Sequence, residues 1–206
     1  MKLNWASRIT ILRILLIFPF VIFMLKINDT SISQTARTAI RYGAFLLFLV
    51  MAFSDVLDGY LARRKNQATR LGAFLDPMAD KLLMTCACLL LSSKTACVNG
   101  FQLPQPVVVL IIGKDMFLLM GFLVFFFVTS HVRIIPVFIG KIATILQLSM
   151  VGAILIAPEI STFIPGWIWF LKVLWWSAAG TAILATLIYI RIGSRYISEY
   201  EQSLKQ

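Results

Sequence analysis

Six apolar stretches, each close to the roughly 20 residues that carry a helix across a bilayer, constrain this chain more than any other feature. They run over residues 8–26, 36–62, 71–93, 105–129, 137–157 and 167–191. Inside hydrocarbon every backbone N–H and C=O needs a partner within its own segment, so such stretches fold as helices. The expected fold is therefore an all-α integral membrane protein of six transmembrane helices. One domain over 1–195 is followed by a polar tail, 196–206, that frays or lies along the membrane surface. The chain is 60% hydrophobic and 14% charged, with a mean hydropathy of +0.88, which excludes an ordinary soluble domain. The first run has the outline of a secretory signal. Arg13 interrupts it, however, and no small-residue cleavage site follows, so a retained helix is expected.

The charge pattern gives this bundle a direction. A net charge of +10 would suit nucleic acid in a soluble chain, but here Lys and Arg are concentrated in the short connections between apolar runs. That distribution fits membrane topology and anionic headgroups, and no nucleic-acid partner is expected. Counting alternate sides, Lys2, Arg8, Arg13, Arg63, Arg64, Lys65, Arg70, Arg133, Lys141, Arg191, Arg195 and Lys205 share one side. Lys26, Arg37, Arg41, Lys94 and Lys172 share the other. Basic residues are retained on the cytoplasmic side, which places both termini and the 63–70 connection there. Polar residues 28–34, the Gly and Pro residues within 94–106, and Pro158, Pro165 and Gly166 read as turns on the opposite side. Cys86, Cys88 and Cys97 are odd in number and lack metal-ligand spacing, so they read as structural.

One stretch breaks the apolar pattern. Residues 55–80 hold four carboxylates, a basic cluster and two glycines. Each charge in a membrane segment costs a few kcal/mol unless it faces a cavity, a metal or a partner. Asp55 and Asp58 are three apart and Asp76 and Asp80 four apart, so each pair shares a helical face. If the short basic connection turns the chain back, the two faces meet and the four carboxylates converge. Such a cluster repels itself unless divalent cations compensate it, and hard oxygen ligands favour Mg or Mn, with Ca as a further occupant. Zinc is disfavoured because no Cys or His is nearby. Arg63, Arg64, Lys65 and Arg70 beside the acids point to a phosphorylated substrate. Ion pairing with those cations is the structural alternative. For Gly59, close packing of transmembrane helices is the simpler reading.

Asp55, Asp58, Gly59, Ala62, Arg63, Gly72, Asp76 and Asp80 satisfy D-x2-D-G-x2-A-R-x8-G-x3-D-x3-D at every fixed position. The chain thereby resembles the CDP-alcohol phosphatidyltransferases, a family with six transmembrane helices and a polar cavity open to the cytoplasm. The resemblance implies an enzyme that displaces CMP from a CDP-linked lipid with an alcohol, using two divalent metal ions. It makes Asp55, Asp58 and Asp76 metal ligands, and Asp80 a ligand or the general base for the attacking hydroxyl. Asp55, Gly59, Ala62, Arg63 and Gly72 would border the CDP-lipid, with Arg63 either ordering its loop or touching phosphate.

Acceptor choice rests on more scattered residues. Thr10 and Arg13 match part of the P-N-x-L-T-x-x-R start of phosphatidylglycerophosphate synthases, although Ala6-Ser7 replaces Pro-Asn. Gly113-Lys114-Asp115 resembles their G-R-E triplet, and Gly140, Lys141, Thr144 and Gln147 resemble G-K-x-x-T-x-x-Q. The resemblance implies CDP-diacylglycerol as donor and a small phosphorylated alcohol, glycerol 3-phosphate, as acceptor. Thr10, Arg13, Lys114, Arg133 and Lys141 would hold its phosphate. Phosphatidylglycerol, giving a cardiolipin synthase, or inositol phosphate are the alternative acceptors. Arg13 either snorkels to the interface or binds an anion. Lys114 and Asp115 either bind or form a buried structural pairing, for instance with Lys81. A divalent-cation transporter is a different class of reading, but it expects acids on both sides of the midplane, whereas these crowd one side. His131 reads as a solvated loop residue, and the tryptophans of the last run as interface belt. A homodimer is compatible with the resemblance, and surrounding membrane lipids are implied by the composition.

Overall fold

The computed structural model describes the backbone of residues 5–65, 70–129 and 138–203, and the side chains of residues 9–54, 78–121, 123 and 138–192. Its secondary structure is helical throughout, with no strand among the described residues. Helix α1 spans Trp5–Lys26, α2 Gln34–Lys65, α3 Arg70–Ser92, α4 Gln105–Thr129 and α5 Phe138–Leu155. A short α6, Ala157–Phe163, precedes α7, Trp167–Ser203. Among the described residues four helices are long and apolar enough to cross a membrane, over Ile9–Lys26, Gln34–Ser54, Phe138–Leu155 and Trp167–Ile192. Helices α3 and α4, 23 and 25 residues long, include the charged positions Asp76, Asp80, Lys81, Lys114 and Asp115.

Two expectations are revised. The connection carrying Pro158 is not a plain turn, because α6 occupies it. Proline presets the backbone for a first helical turn and Glu159 suits the positive end of that helix. The tail does not fray at 196, because α7 runs on to Ser203. After Gly193 there is neither Gly nor Pro, and Glu199, Glu201 and Gln202 favour helix.

Local signals explain where the helices stop. Asp29 Oδ1 accepts the Ser31 N–H at 2.9 Å and the Ser31 hydroxyl at 2.6 Å, tightening the turn after α1. Ser33 then caps α2 by accepting the Ala36 N–H at 3.3 Å. Asn28 Nδ2 donates to the carbonyls of Thr95 and Cys97 at 3.2 and 2.8 Å, so the α1–α2 and α3–α4 connections are laced together. Gly100 and Gly166 take φ of +83° and +90°, which a side chain would disfavour.

The core is apolar and continuous. Phe20 and Met24 of α1 meet Ala44, Phe48 and Met51 of α2, Leu83, Ala87 and Leu91 of α3, Ile111 of α4, Met150 and Ile154 of α5, and Leu171 and Ala178 of α7. Helix α1 packs on both α2 and α3, and α7 carries α4 and α5. Ala178, Ala182 and Ala185 are buried along one side of α7, where small residues let a neighbouring backbone approach closely. At Gly43 a Cβ would come within 2.8 Å of the Phe23 ring, so that residue lets α1 and α2 close up. Outside the core, Leu12, Leu15, Phe18, Leu46, Phe53, Val109, Ile145, Val173 and Leu187 are exposed. A surface this apolar belongs in lipid.

One ion pair ties the ends of the bundle. Arg41, 7% exposed, grips Glu159 of α6 with both terminal nitrogens and donates to the Leu155 carbonyl at 3.0 Å. The Arg41 guanidinium, with the Tyr42 hydroxyl, holds the Glu159 carboxyl below its ordinary value of 4.5. A carboxylate whose value is depressed on folding contributes stability above its unfolded value, and that contribution disappears as pH falls through the folded value. Glu159→Gln is expected to cost about 1–3 kcal/mol at neutral pH. In detergent melts the gap between wild type and variant should narrow as pH is taken below about 4.5. A gap independent of pH would show that the pair contributes nothing as a pair.

Candidate functional site

Asp55 and Asp58 lie on α2, and Asp76 and Asp80 lie on α3. Of these four, Asp80 is the one whose side chain is described. Asp55, Asp58, Asp76, Gly59, Ala62, Arg63 and Gly72 have side-chain positions outside the described residues, so their expected convergence is not visible here. Arg133 and His131 lie outside the described residues altogether. Among the described residues no group of three or more His, Cys, Asp or Glu is gathered as a metal site.

Around Asp80 the structure reveals a polar array in an apolar bundle. Its Oδ2 lies 3.2 Å from Lys81 Nζ, and Lys81 Nζ is 3.1 Å from Asp115 Oδ1. The same Asp115 oxygen is 3.0 Å from Lys114 Nζ, which donates to Gln147 Oε1 at 3.2 Å. Helices α3, α4 and α5 are thereby joined through alternating charges. Asp80, Lys81, Asp115 and Lys114 sum to zero, which is what a low-dielectric interior demands. Asp115, Lys114 and Gln147 are fully buried, whereas a fifth of the Asp80 side chain is open. The array thus has one accessible end, formed by the Asp80 carboxylate with Lys81 beside it. Its chemistry as an oxygen donor suits a hard divalent ion.

The candidate acceptor residues separate into distinct environments. Thr10 and Arg13 are buried on α1, Arg13 at 1% exposure, so Arg13 does not snorkel outward. Lys114 is held by Asp115 and Gln147, the buried pairing with Lys81 being realised through Asp115. Lys141 is exposed near the start of α5. Its neighbours have packing roles. A Cβ on Gly140 would lie 3.0 Å from the Tyr189 hydroxyl, and Thr144 Oγ1 donates to the Gly140 carbonyl at 3.1 Å. Cys86, Cys88 and Cys97 are free thiols, the last two buried.

Sequence reasoning named Lys81 only as a possible partner for the buried pair and did not foresee that it also binds Asp80. Adjacency of Asp80 and Lys81 in sequence was the available signal. Gln147 entered as a motif match and emerges as the acceptor that fixes Lys114.

The family model for CDP-alcohol phosphatidyltransferase matches residues 3–189. Three similar relatives are each named CDP-diacylglycerol–glycerol-3-phosphate 3-phosphatidyltransferase, from Escherichia coli strain K12, Escherichia coli O157:H7 and Shigella flexneri serotype 5b. Each is 41% identical over 93 residues, 45% of this chain and 46% of the relative. The match therefore spans about half the length of these curated relatives.

Removing Asp115 would strand the buried Lys114 ammonium and leave Lys81 with Asp80 alone. Asp115→Ala is expected to cost about 3–5 kcal/mol, while Lys141→Ala on the exposed surface should cost under about 0.5 kcal/mol. Denaturation of the detergent-solubilised variants checks this. Equal stability of the two would mean that the array does not hold the three helices.

Proposed function

Because the chain belongs to the CDP-alcohol phosphatidyltransferase family, we propose that it transfers a phosphatidyl group from CDP-diacylglycerol to glycerol 3-phosphate. The products are phosphatidylglycerophosphate and CMP. The observation that carries this reading is the eight-residue motif from Asp55 to Asp80, inside a family match that covers 3–189. The activity for which the 41%-identical relatives are named supports the choice of acceptor. The working arrangement is one domain over 1–195 with six transmembrane helices and a polar segment at 196–206. Both termini and the catalytic cavity face the cytoplasm, in the inner membrane if the cell is bacterial.

In this reading Asp55, Asp58 and Asp76, with Asp80 as a further ligand or as the base, would hold two divalent ions, Mg or Mn. When bound, such ions offset the charge of the donor's diphosphate and of the departing CMP. Gly59, Ala62 and Gly72 let the CDP moiety approach the backbone, and Arg63 orders the adjoining loop or meets phosphate. Asp80 accepts the proton of the acceptor's free hydroxyl. The hydroxyl oxygen forms a bond to the lipid-linked phosphorus as the bond from that phosphorus to CMP breaks. The CMP oxygen keeps the electron pair, and the proton remains on Asp80 until solvent removes it. Lys81 keeps one Asp80 oxygen occupied, which orients the other toward the reacting group. Thr10, Arg13, Arg133 and Lys141 would receive the acceptor's phosphate. Lys114 would act from within the array, since Asp115 and Gln147 already engage its ammonium.

Asp80→Asn is expected to reduce CMP release from CDP-diacylglycerol at least about 100-fold in a protein that still melts cooperatively. Undiminished turnover would overturn the assignment of Asp80. Lys141→Ala should raise KM for glycerol 3-phosphate about tenfold and leave KM for CDP-diacylglycerol unchanged. An acceptor panel that also includes phosphatidylglycerol and inositol phosphate tests the substrate, and preferential product from either of those would replace glycerol 3-phosphate.

A further inference from the structure

A second polar site lies at the end of the bundle away from Asp80. A cavity of about 150 Å³ opens between the α1–α2 connection, the α3–α4 connection and α6. Its lining includes Asn28, Gln34, Arg37, Thr38, Arg41 and Asn99. Two guanidinium side chains therefore reach one small space from positions one turn apart on α2. Asp80 lies 12 residues before the end of α3 at Ser92, roughly 18 Å along the helix axis from the connection that carries Asn99.

Among the described residues the cations of this cavity are answered unequally: Asp29 lies within electrostatic reach of Arg37 but forms no ion pair with it. Arg41 is satisfied by Glu159 and the Leu155 carbonyl. Asp29, the carboxylate nearest in sequence, is committed to the Ser31 N–H and hydroxyl. Arg37 is half-buried, and its Nε is enclosed without a hydrogen-bond acceptor. No described carboxylate stands within ion-pair distance of Arg37. An enclosed Nε–H without an acceptor is costly, and an anion in the space beside it would answer both that N–H and the more open terminal nitrogens. The start of α2 at Gln34 adds the positive end of a helix to the same space.

We propose that this cavity is a binding site for a phosphate group, with Arg37 as its principal ligand. Its level in the molecule favours a group carried on a lipid. Phe163, 84% exposed, and Trp169, 68% exposed, flank the turn between α6 and α7 at this same end, where aromatic side chains mark a headgroup boundary. A phosphodiester at that level enters the cavity while its acyl chains lie along the exposed apolar helix faces. The site is separate from the catalytic carboxylates and does not depend on their assignment.

The test compares wild type with Arg37→Gln and Arg37→Lys, using Lys94→Gln as a control on an exposed residue of the α3–α4 connection. The purified full chain in detergent is titrated with dioleoyl-phosphatidylglycerol, dioleoyl-phosphatidylcholine or inorganic phosphate. Retained lipid is read by native mass spectrometry, and stabilisation by thermal melting. Wild type and Lys94→Gln should retain one tightly held lipid more than Arg37→Gln, whose affinity falls about tenfold, with Arg37→Lys between them. Stabilisation by both lipids but not by inorganic phosphate assigns the site to a lipid phosphodiester. Stabilisation by inorganic phosphate as well assigns it to the phosphate group alone. Unchanged ligand-free melting of Arg37→Gln separates loss of ligand from loss of fold. If Arg37→Gln retains lipid and responds to phosphate as wild type does, the proposal is overturned.

Discussion

Charge inside an apolar bundle has to be neutralised within the protein, and the Asp80–Lys81–Asp115–Lys114 array meets that requirement. Its members come from α3 and α4, and Gln147 extends it to α5. Apolar helix faces slide and rotate at small cost, because one aliphatic contact is much like another. An ion pair at 3.0 Å in a low-dielectric interior tolerates little displacement, since separating the partners exposes each to the full desolvation cost. The array therefore fixes the register of three helices at the depth of Asp80, and the hydrophobic core fills the space around that register.

The same constraint acts at the other end of the molecule with a different outcome. There Arg41 is fully answered by Glu159 across α2 and α6, whereas Arg37, one turn earlier, is not. The two ends thus illustrate the difference between polar groups that hold a fold and polar groups held ready for something else. In the array every charge has an opposite neighbour, and the Asp80–Lys81 end retains open surface. In the cavity beside α6 Arg37 has no ion-pair partner among the described residues, which is the asymmetry the proposed phosphate site rests on.

Lys114 shows how a motif can be legible while its role is not. Reading Gly113-Lys114-Asp115 as a substrate contact and reading it as a buried pair were equally open in one dimension. Burial of Lys114 and its contacts with Asp115 and Gln147 give the triplet a structural duty, whatever it contributes to substrate. Gly140 is similar, because its lack of a side chain serves the Tyr189 hydroxyl on α7. A residue on a helix has a face and a depth, and these depend on partners tens of positions away.

The sequence by itself determined that the chain is helical and lipid-facing, and to which family its acidic motif belongs. Those features are local: hydrophobic run length, turn residues and fixed spacing along one or two helices are written in neighbouring positions. Helix packing decided what no local pattern encodes. It drew Arg13 into the interior, joined Lys81 to Asp115 across two helices and paired Arg41 with Glu159 over 118 positions. Each of these outcomes depends on which charges share a low-dielectric space, a property of the assembled bundle and of no single segment.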